Sequence, residues 1–267
     1  MNSLETDVII VGGGPAGLML SIELGRRNIR CIVFDQDSST TPNPQANATQ
    51  ARTMEYYRRL GFVDEIRAEG MPPDYPTDIA YYTTFSKYEL ARFKLPSSAE
   101  AKELVKGLAG SWSAAEPPHR VSQMYVEKVL IRQAAKLSHV ELRYEHKVTQ
   151  VVDHGDRVSS IILSPGGEVE VTGKYLVGCD GPRSLVRKTL DISLQGEAGV
   201  EREFVGGPMH AVYLRASNLY EAINGAGGLQ KYADPERTVL IREGNSRNIF
   251  LKEFLLMEGN SFFVFNP

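Results

Sequence analysis

Cysteine is almost absent. The 267 residues hold two, Cys31 and Cys179, each inside an apolar run that reads as a buried strand. Such a pair builds no disulfide framework, so free thiols in a reducing, cytoplasmic compartment are expected. No metal-ligand spacing appears, and no metal is expected. Excess charge of either sign is lacking as well: 30 Lys and Arg stand against 33 Asp and Glu, a net charge of −3. That leaves no electrostatic footprint for a nucleic-acid partner. Long hydrophobic runs are missing too. The stretch from Val8 to Leu20 is interrupted by Gly12, Gly13, Gly14, Pro15 and Gly17, so no membrane span is expected. The first residues carry Glu5 and Asp7 and no basic segment, unlike a secretory signal. Tryptophan occurs once, at Trp112, and no internal repeat is visible.

What is present is an ordinary globular composition, 42% apolar and 24% charged, at a length that buries enough surface to fold without staples. The chain opens as strand, turn, helix, strand. "DVIIVG" is a short apolar run suited to burial on both faces. "PAGLMLSIELGRRN" has helical spacing, with Leu18, Ile22 and Gly25 on one face, and Asn28 is placed to end it in the left-handed conformation. "RCIVFD" is a second buried strand that stops at Asp35. This is a βαβ unit with a right-handed crossover.

After a polar, Pro-containing loop, "QARTMEYYRRLGFVDEI" returns to helical spacing, with Met54, Tyr57 and Leu60 on one side; Arg52 sits at its start as a surface residue. Residues 96–118 read as an irregular excursion. "SQMYVEKVLIRQAAKL" is the clearest helix, capped by Ser122. "VELRYE", "KVTQVVDHG" and "RVSSIILSP" read as short strands, and the turns around Gly155 and Gly166 suggest a meander that "EVEVTGKYLVGCDG" closes. Beyond Asp191, "EREFVGGPMHAVYLRA", "TVLIRE" and "NIFLKEFLLMEGNSFFVFNP" suggest further strands.

Chemistry concentrates in two places. Gly12-x-Gly14-x-x-Gly17 follows a strand and opens a helix. The first glycine permits a tight turn, the second lets the backbone approach a pyrophosphate, and the third lets helix and strand pack closely. The helix N-terminus, with Pro15 and Ala16 in its first turn, then offers free N–H groups to phosphate. Asp35, 18 residues after Gly17, stands where an acid accepts hydrogen bonds from a ribose. This βαβ unit serves NAD or FAD equally. The second place is "YLVGCDGPRSLVRKTL", where a strand delivers Asp180 and Gly181 to its end, followed by Ser184 and Arg187 on a new helix.

Together these stretches, with "NPQANATQARTMEYYRRLG" and "HRVSQMYVEKVLIRQA", resemble the FAD-dependent aromatic hydroxylases of the para-hydroxybenzoate hydroxylase type, over about residues 1–215. The resemblance implies an α/β fold: a Rossmann-like FAD-binding βαβ domain with an antiparallel meander (residues 1–75 and 112–190), plus part of a mixed-sheet substrate domain (76–111 and 191–267). It implies FAD as cofactor, NAD(P)H as transient reductant, and hydroxylation of a small aromatic, phenolic substrate by oxygen. Asp180 and Gly181 are then expected near the FAD ribose, and Arg187 paired with Asp180 or beside the pyrophosphate. Alternatively, Ser184 caps the helix and Arg187 makes a local ion pair. Arg120 and Gln123 occupy positions where family members contact the flavin. Tyr81, Tyr82, Phe85, His210 and Tyr213 are candidates to line a substrate cavity, though core packing is the plainer role for each. No catalytic acid or base is assigned. Gln45 stands where the family often has an arginine, and no Gly-Asp follows Gly181, although the family carries a third motif of that kind. The expected alternative is therefore an inactive, partial FAD-binding module that needs a C-terminal half or a partner chain, or a homo-oligomer. In that reading "FFVF" is an apolar edge needing cover.

Overall fold

The computed structural model describes residues 3–39, 46–75, 77–82, 88–106 and 114–196, and the backbone of five strands between 210 and 265. Gln45, Phe85 and Trp112 lie outside the described residues. The chain divides into two compact units, 1–75 with 97–194, and 76–96 with 195–267. Residues 97–106, expected in the second unit, group with the first. Ser97, Ser98 and Ala101 are buried there, and the Arg67 guanidinium donates to the Ser98 hydroxyl at 2.8 Å. Part of the stretch read as irregular is a helix.

The first unit is built on a six-stranded sheet. β1 (Ser3–Val11) lies between β2 (Cys31–Phe34) and β8 (Gly167–Gly178). Both pair with it in parallel, Val11 facing Phe34 on one side and Gly178 on the other. β5 (Val140–Arg143) adds in parallel to β2. β6 (Lys147–Asp153) and β7 (Val158–Ser164) continue from β8 as an antiparallel meander. "VELR" thus leaves the meander to which it is adjacent in sequence. The helix before it carries it across the sheet as a parallel crossover, and the strand docks beside β2.

α1 (Pro15–Gly25) and α5 (Gln123–Ala135) cover one face. Leu18 and Ile22 of α1 pack with Val126, Val129 and Leu130 of α5. Also in this cluster are Met54, Tyr57 and Leu60 from α2 (Ala51–Leu60) and Ile66 from α3 (Val63–Ala68). One predicted helix has become two. Gly61, at φ +89°, closes α2 in the left-handed conformation, and its N–H caps the Tyr57 and Arg58 carbonyls. Asn28 ends the α1 turn at φ 59°, as its side chain predicts. Arg52 is exposed and pairs with Glu55 at 3.4 Å. α4 (Ser98–Lys106) and α6 (Leu185–Thr189) complete the helices described. On the other face of the sheet, Ile9, Val11, Ile32 and Phe34 pack with Ile162, Val171 and Val186.

In the second unit β3 (Ile79–Tyr82) and β4 (Glu89–Phe93) form a hairpin. Tyr81 is exposed and meets Phe93 edge-on, with centroids 6.1 Å apart. β9 (His210–Leu214), β12 (Leu251–Met257) and β13 (Asn260–Phe265) form a three-stranded sheet, and β10 (Thr238–Arg242) pairs with β11 (Asn245–Ile249). "SFFVF", expected as an unprotected edge, is instead the middle strand, hydrogen-bonded to β12 on one side and β9 on the other. The side chains of Tyr82, His210 and Tyr213 lie outside the description.

Candidate functional site

Four parallel strands end on the same side of the sheet, and backbone hydrogen bonds stitch their ends together. Gly12 N–H donates to the Phe34 carbonyl at 2.8 Å, and Cys179 N–H to that of Val11 at 2.6 Å. Asp35 N–H donates to the Arg143 carbonyl at 3.0 Å. The two motifs, more than 160 residues apart in sequence, are therefore one structure in space. In open α/β sheets ligands bind outside the carboxyl ends of the strands, where connections leave in opposite directions. β1 is such a point, with β2 and β8 on its two sides.

Each glycine of the loop has a different steric reason. Gly12 has φ +105°, and a Cβ there would fall into the Cys179 peptide, 2.5 Å from its carbonyl carbon and 2.8 Å from Asp180 N. A Cβ on Gly17 would overlap the Gly12 carbonyl oxygen and lie 3.1 Å from its carbon. Gly14 differs: among the described residues nothing stands within 4 Å of its would-be Cβ, and its φ of −73° is one that any residue adopts. Gly14 is the N-cap of α1, with no side-chain cap and with Pro15 at the first helical position. The Ala16 and Gly17 N–H groups thus begin a helix whose N-terminus is not satisfied by a side chain. This open, uncapped cradle fits a pyrophosphate.

Asp35 does more than the sequence implied. Its Oδ2 accepts from Gly13 N–H at 2.5 Å and its Oδ1 from Asp37 N–H at 2.8 Å. The carboxylate therefore braces the glycine loop from the end of β2. Each oxygen retains a second lone pair for a ribose hydroxyl.

Asp180, expected beside a ribose, anchors α6. Its Oδ1 accepts from the Ser184 hydroxyl at 2.6 Å, and its Oδ2 from Leu185 N–H at 2.6 Å and Val186 N–H at 3.3 Å. Ser184 in turn caps the helix by accepting from Arg187 N–H at 2.9 Å. Gly181, at φ +73°, makes the turn between them. The Arg187 guanidinium neither pairs with Asp180 nor reaches the glycine loop. It donates to the Ile192 carbonyl at 3.0 Å and the Pro182 carbonyl at 3.3 Å, bracing the two ends of α6. Asp180 takes its three donors from residues closer in sequence, Ser184, Leu185 and Val186. Burial, then the neighbouring Asp180 charge, raises the Cys179 thiol above its ordinary range, so it is an inert wall residue.

Arg120 and Gln123 precede and open α5. Their segment pairs with 46–49 through Val121 N–H to the Asn47 carbonyl at 3.1 Å and Gln123 N–H to that of Ala46 at 2.9 Å. Arg120 donates to Asn47 Oδ1 at 3.4 Å. Gln123 Nε2 donates to Glu127 Oε1 at 2.8 Å, and Glu127 is buried. Among the described residues no hydrogen bond joins Arg120 to the glycine loop. Glu127 was missed from sequence, although its i, i+4 spacing from Gln123 was a signal for it. A separate cavity of about 620 Å³, lined by Arg58, Val63, Lys102 and Glu116 among others, shares no residue with this site.

A family profile described as "FAD binding domain" matches residues 5–222. The chain is 31% identical over 192 residues to the FAD-dependent monooxygenase apdD of Emericella nidulans, covering 71% of this chain and 31% of that protein. It is 31% identical over 199 residues to the 2,4-dichlorophenol 6-monooxygenase of Cupriavidus pinatubonensis, covering 74% and 32%. The chain thus spans about a third of the length of these relatives. Among solved structures, the flavin-dependent monooxygenase PieE in complex with FAD and substrate shares its fold, with a TM-score of 0.74 at 23% identity, over 100% of this chain and 44% of that one.

Proposed function

We propose, on the premise that this chain belongs to the FAD binding domain family, that it holds FAD for the NAD(P)H- and oxygen-dependent hydroxylation of a small aromatic, phenolic substrate. The observation that carries the reading is the division of roles among three glycines: Gly12 turns, Gly17 packs, and Gly14 alone faces open space at an uncapped helix N-terminus. One relative supports the substrate class, the 2,4-dichlorophenol 6-monooxygenase, which acts on a phenol.

In this reading Gly12, Gly14, Pro15, Ala16 and Gly17 form the pyrophosphate cradle. Asp35 receives the ribose hydroxyls while still holding Gly13. Asp180 and Gly181 set the opposite wall, Arg187 braces that wall, and Arg120 and Gln123 close the side at the start of α5. Bound FAD supplies the redox chemistry linking NAD(P)H, oxygen and the ring. The protein binds, orients and shields it; no catalytic acid or base is assigned. Residues 76–96 and 195–267 are proposed as the substrate-domain portion.

The test is the visible spectrum of the purified chain before and after adding FAD. A bound oxidised-flavin spectrum supports the reading, and NAD(P)H oxidation with a panel of phenols then tests the reaction. A protein that stays colourless overturns it. The second reading is an FAD-binding module that turns over only with further polypeptide; the chain spans about a third of the length of these relatives. It predicts a bound flavin that no phenol causes NAD(P)H to reduce.

A further inference from the structure

Gly13 has no role in the Gly12-x-Gly14-x-x-Gly17 spacing, yet it links the loop to β2. The β1–β2 ladder ends where Val11 faces Phe34, and Gly12 N–H makes the last bond to a β2 carbonyl, that of Phe34, at 2.8 Å. Gly13 lies one residue beyond the ladder and is buried. A buried N–H needs an acceptor, and Asp35 Oδ2 supplies it at 2.5 Å. The carbonyl end of the same peptide unit is confined as well: the Gly12 oxygen lies against Gly17, where a Cβ would overlap it. The Gly12–Gly13 peptide is thus clamped between the acid that ends β2 and the first turn of α1. Residue 13 must also be small, because a Cβ there would stand 3.1 Å from Asp35 Cβ and 3.2 Å from its Oδ2. Asp35 itself is only half-buried, so the carboxylate that holds a buried peptide is open to a ligand.

Resting on the dinucleotide reading above, we propose that Asp35 is a positioning residue for the pyrophosphate, acting through Gly13, and that it couples recognition of the ribose to recognition of the pyrophosphate. The Ala16 and Gly17 N–H groups are aimed by the peptides that precede them. The Gly12–Gly13 peptide is fixed at its N–H only by Asp35 Oδ2. Oδ1 is tied to Asp37 N–H at 2.8 Å, which leaves one lone pair on each oxygen for ribose hydroxyls. A diol on those lone pairs restricts rotation of the carboxylate and so restricts the peptide it holds. Part of the loop's ordering is then complete before the phosphates engage, which is a positive coupling between two subsites. An acid that serves the ribose alone has no influence on a ligand that lacks the diol.

The experiment is calorimetric titration of the full chain with ADP and with 2′,3′-dideoxy-ADP, which keeps the pyrophosphate and lacks both ribose hydroxyls. The proteins are the wild type, Asp35→Ala, Asp35→Asn, Gly13→Ala, and Gly13→Ala with Asp35→Ala. Asp35→Ala is expected to weaken dideoxy-ADP about tenfold, one hydrogen bond to a charged group, and ADP about 100-fold, since the ribose contact goes too. Asp35→Asn keeps an acceptor for Gly13 N–H and recovers the dideoxy-ADP loss to about threefold. Gly13→Ala retains the negative charge but pushes the carboxylate off, so it weakens dideoxy-ADP as Asp35→Ala does. The double variant is no weaker than either single one. Unchanged dideoxy-ADP affinity in Asp35→Ala overturns the proposal and confines the acid to the ribose, and additive losses in the double variant overturn it as well. Should Asp35→Ala not fold, Gly13→Ala is read by the same affinity, and no loss there overturns the proposal. In each of these outcomes the wild type still binds ADP and the cradle stands. A wild type that binds neither nucleotide overturns the dinucleotide reading and this inference with it.

Discussion

Gly14→Val and Gly17→Ala change neighbouring residues of one loop and should fail in opposite ways. At Gly14 the backbone has φ −73° and ψ −176°, and the new Cβ meets nothing within 4 Å among the described residues. Losing glycine's unfolded-state freedom stabilises by about 0.4–1 kcal/mol. Replacing glycine by valine at an N-cap costs about as much. The apo protein should therefore keep its stability to within about 1 kcal/mol. Its cofactor affinity should not survive, because the side chain fills the space through which pyrophosphate reaches the Ala16 and Gly17 N–H groups. Two such bonds to a charged group contribute about 1.5–3 kcal/mol each, so FAD should bind at least about 100-fold more weakly. At Gly17 the new Cβ overlaps the Gly12 carbonyl oxygen and stands 3.3 Å from Ile10 Cγ2. Here α1 must lift off the sheet, at about 3 kcal/mol, the upper end of overpacking costs. Urea unfolding of the apo proteins and FAD titration by flavin fluorescence separate the two. Retention of flavin by Gly14→Val, or a Gly17→Ala protein as stable as the wild type, would refute the assignment of roles.

Asp180→Ala should lose about 2 kcal/mol in urea unfolding, since it orphans the Ser184 hydroxyl and two N–H groups at the start of α6; a loss below about 0.5 kcal/mol would mean that the anchor is unimportant. His119 is buried, with Nε2 donating to the Arg67 carbonyl at 3.2 Å. Burial, then the Arg67 charge, lowers its pKa from 6.5 to about 4. The unfolded chain takes up this proton first, so stability is complete above pH 6.5 and falls as pH drops toward 4. The loss is on the order of 3 kcal/mol. His119→Gln should flatten that part of the stability–pH curve, and an unaltered slope would assign the acid sensitivity to other groups.

Much of the site was legible because short-range rules govern it. The βαβ unit could be read because β1 and β2 are buried on both faces and α1 has a glycine at each close approach. Asn28, Ser184 and Gly181 announced their turns by residue type alone. The errors share one cause. Arg187 was expected to pair with Asp180 or to lie beside the pyrophosphate, yet its guanidinium and the Asp180 carboxylate each found partners within their own turn. "VELR" was read with the strands after it, but the strand it pairs with lies about a hundred residues earlier.

From the sequence by itself came the α/β class, the glycine loop, the acid at the end of β2 and the second motif near residue 180, since each depends on the conformational limits of a few adjacent residues. The tertiary structure alone decided that Gly12 rests on the Cys179 peptide and that Asp35 holds Gly13. Those meetings depend on strand order and register, and strand order arises from packing both faces of one sheet, which no local pattern encodes.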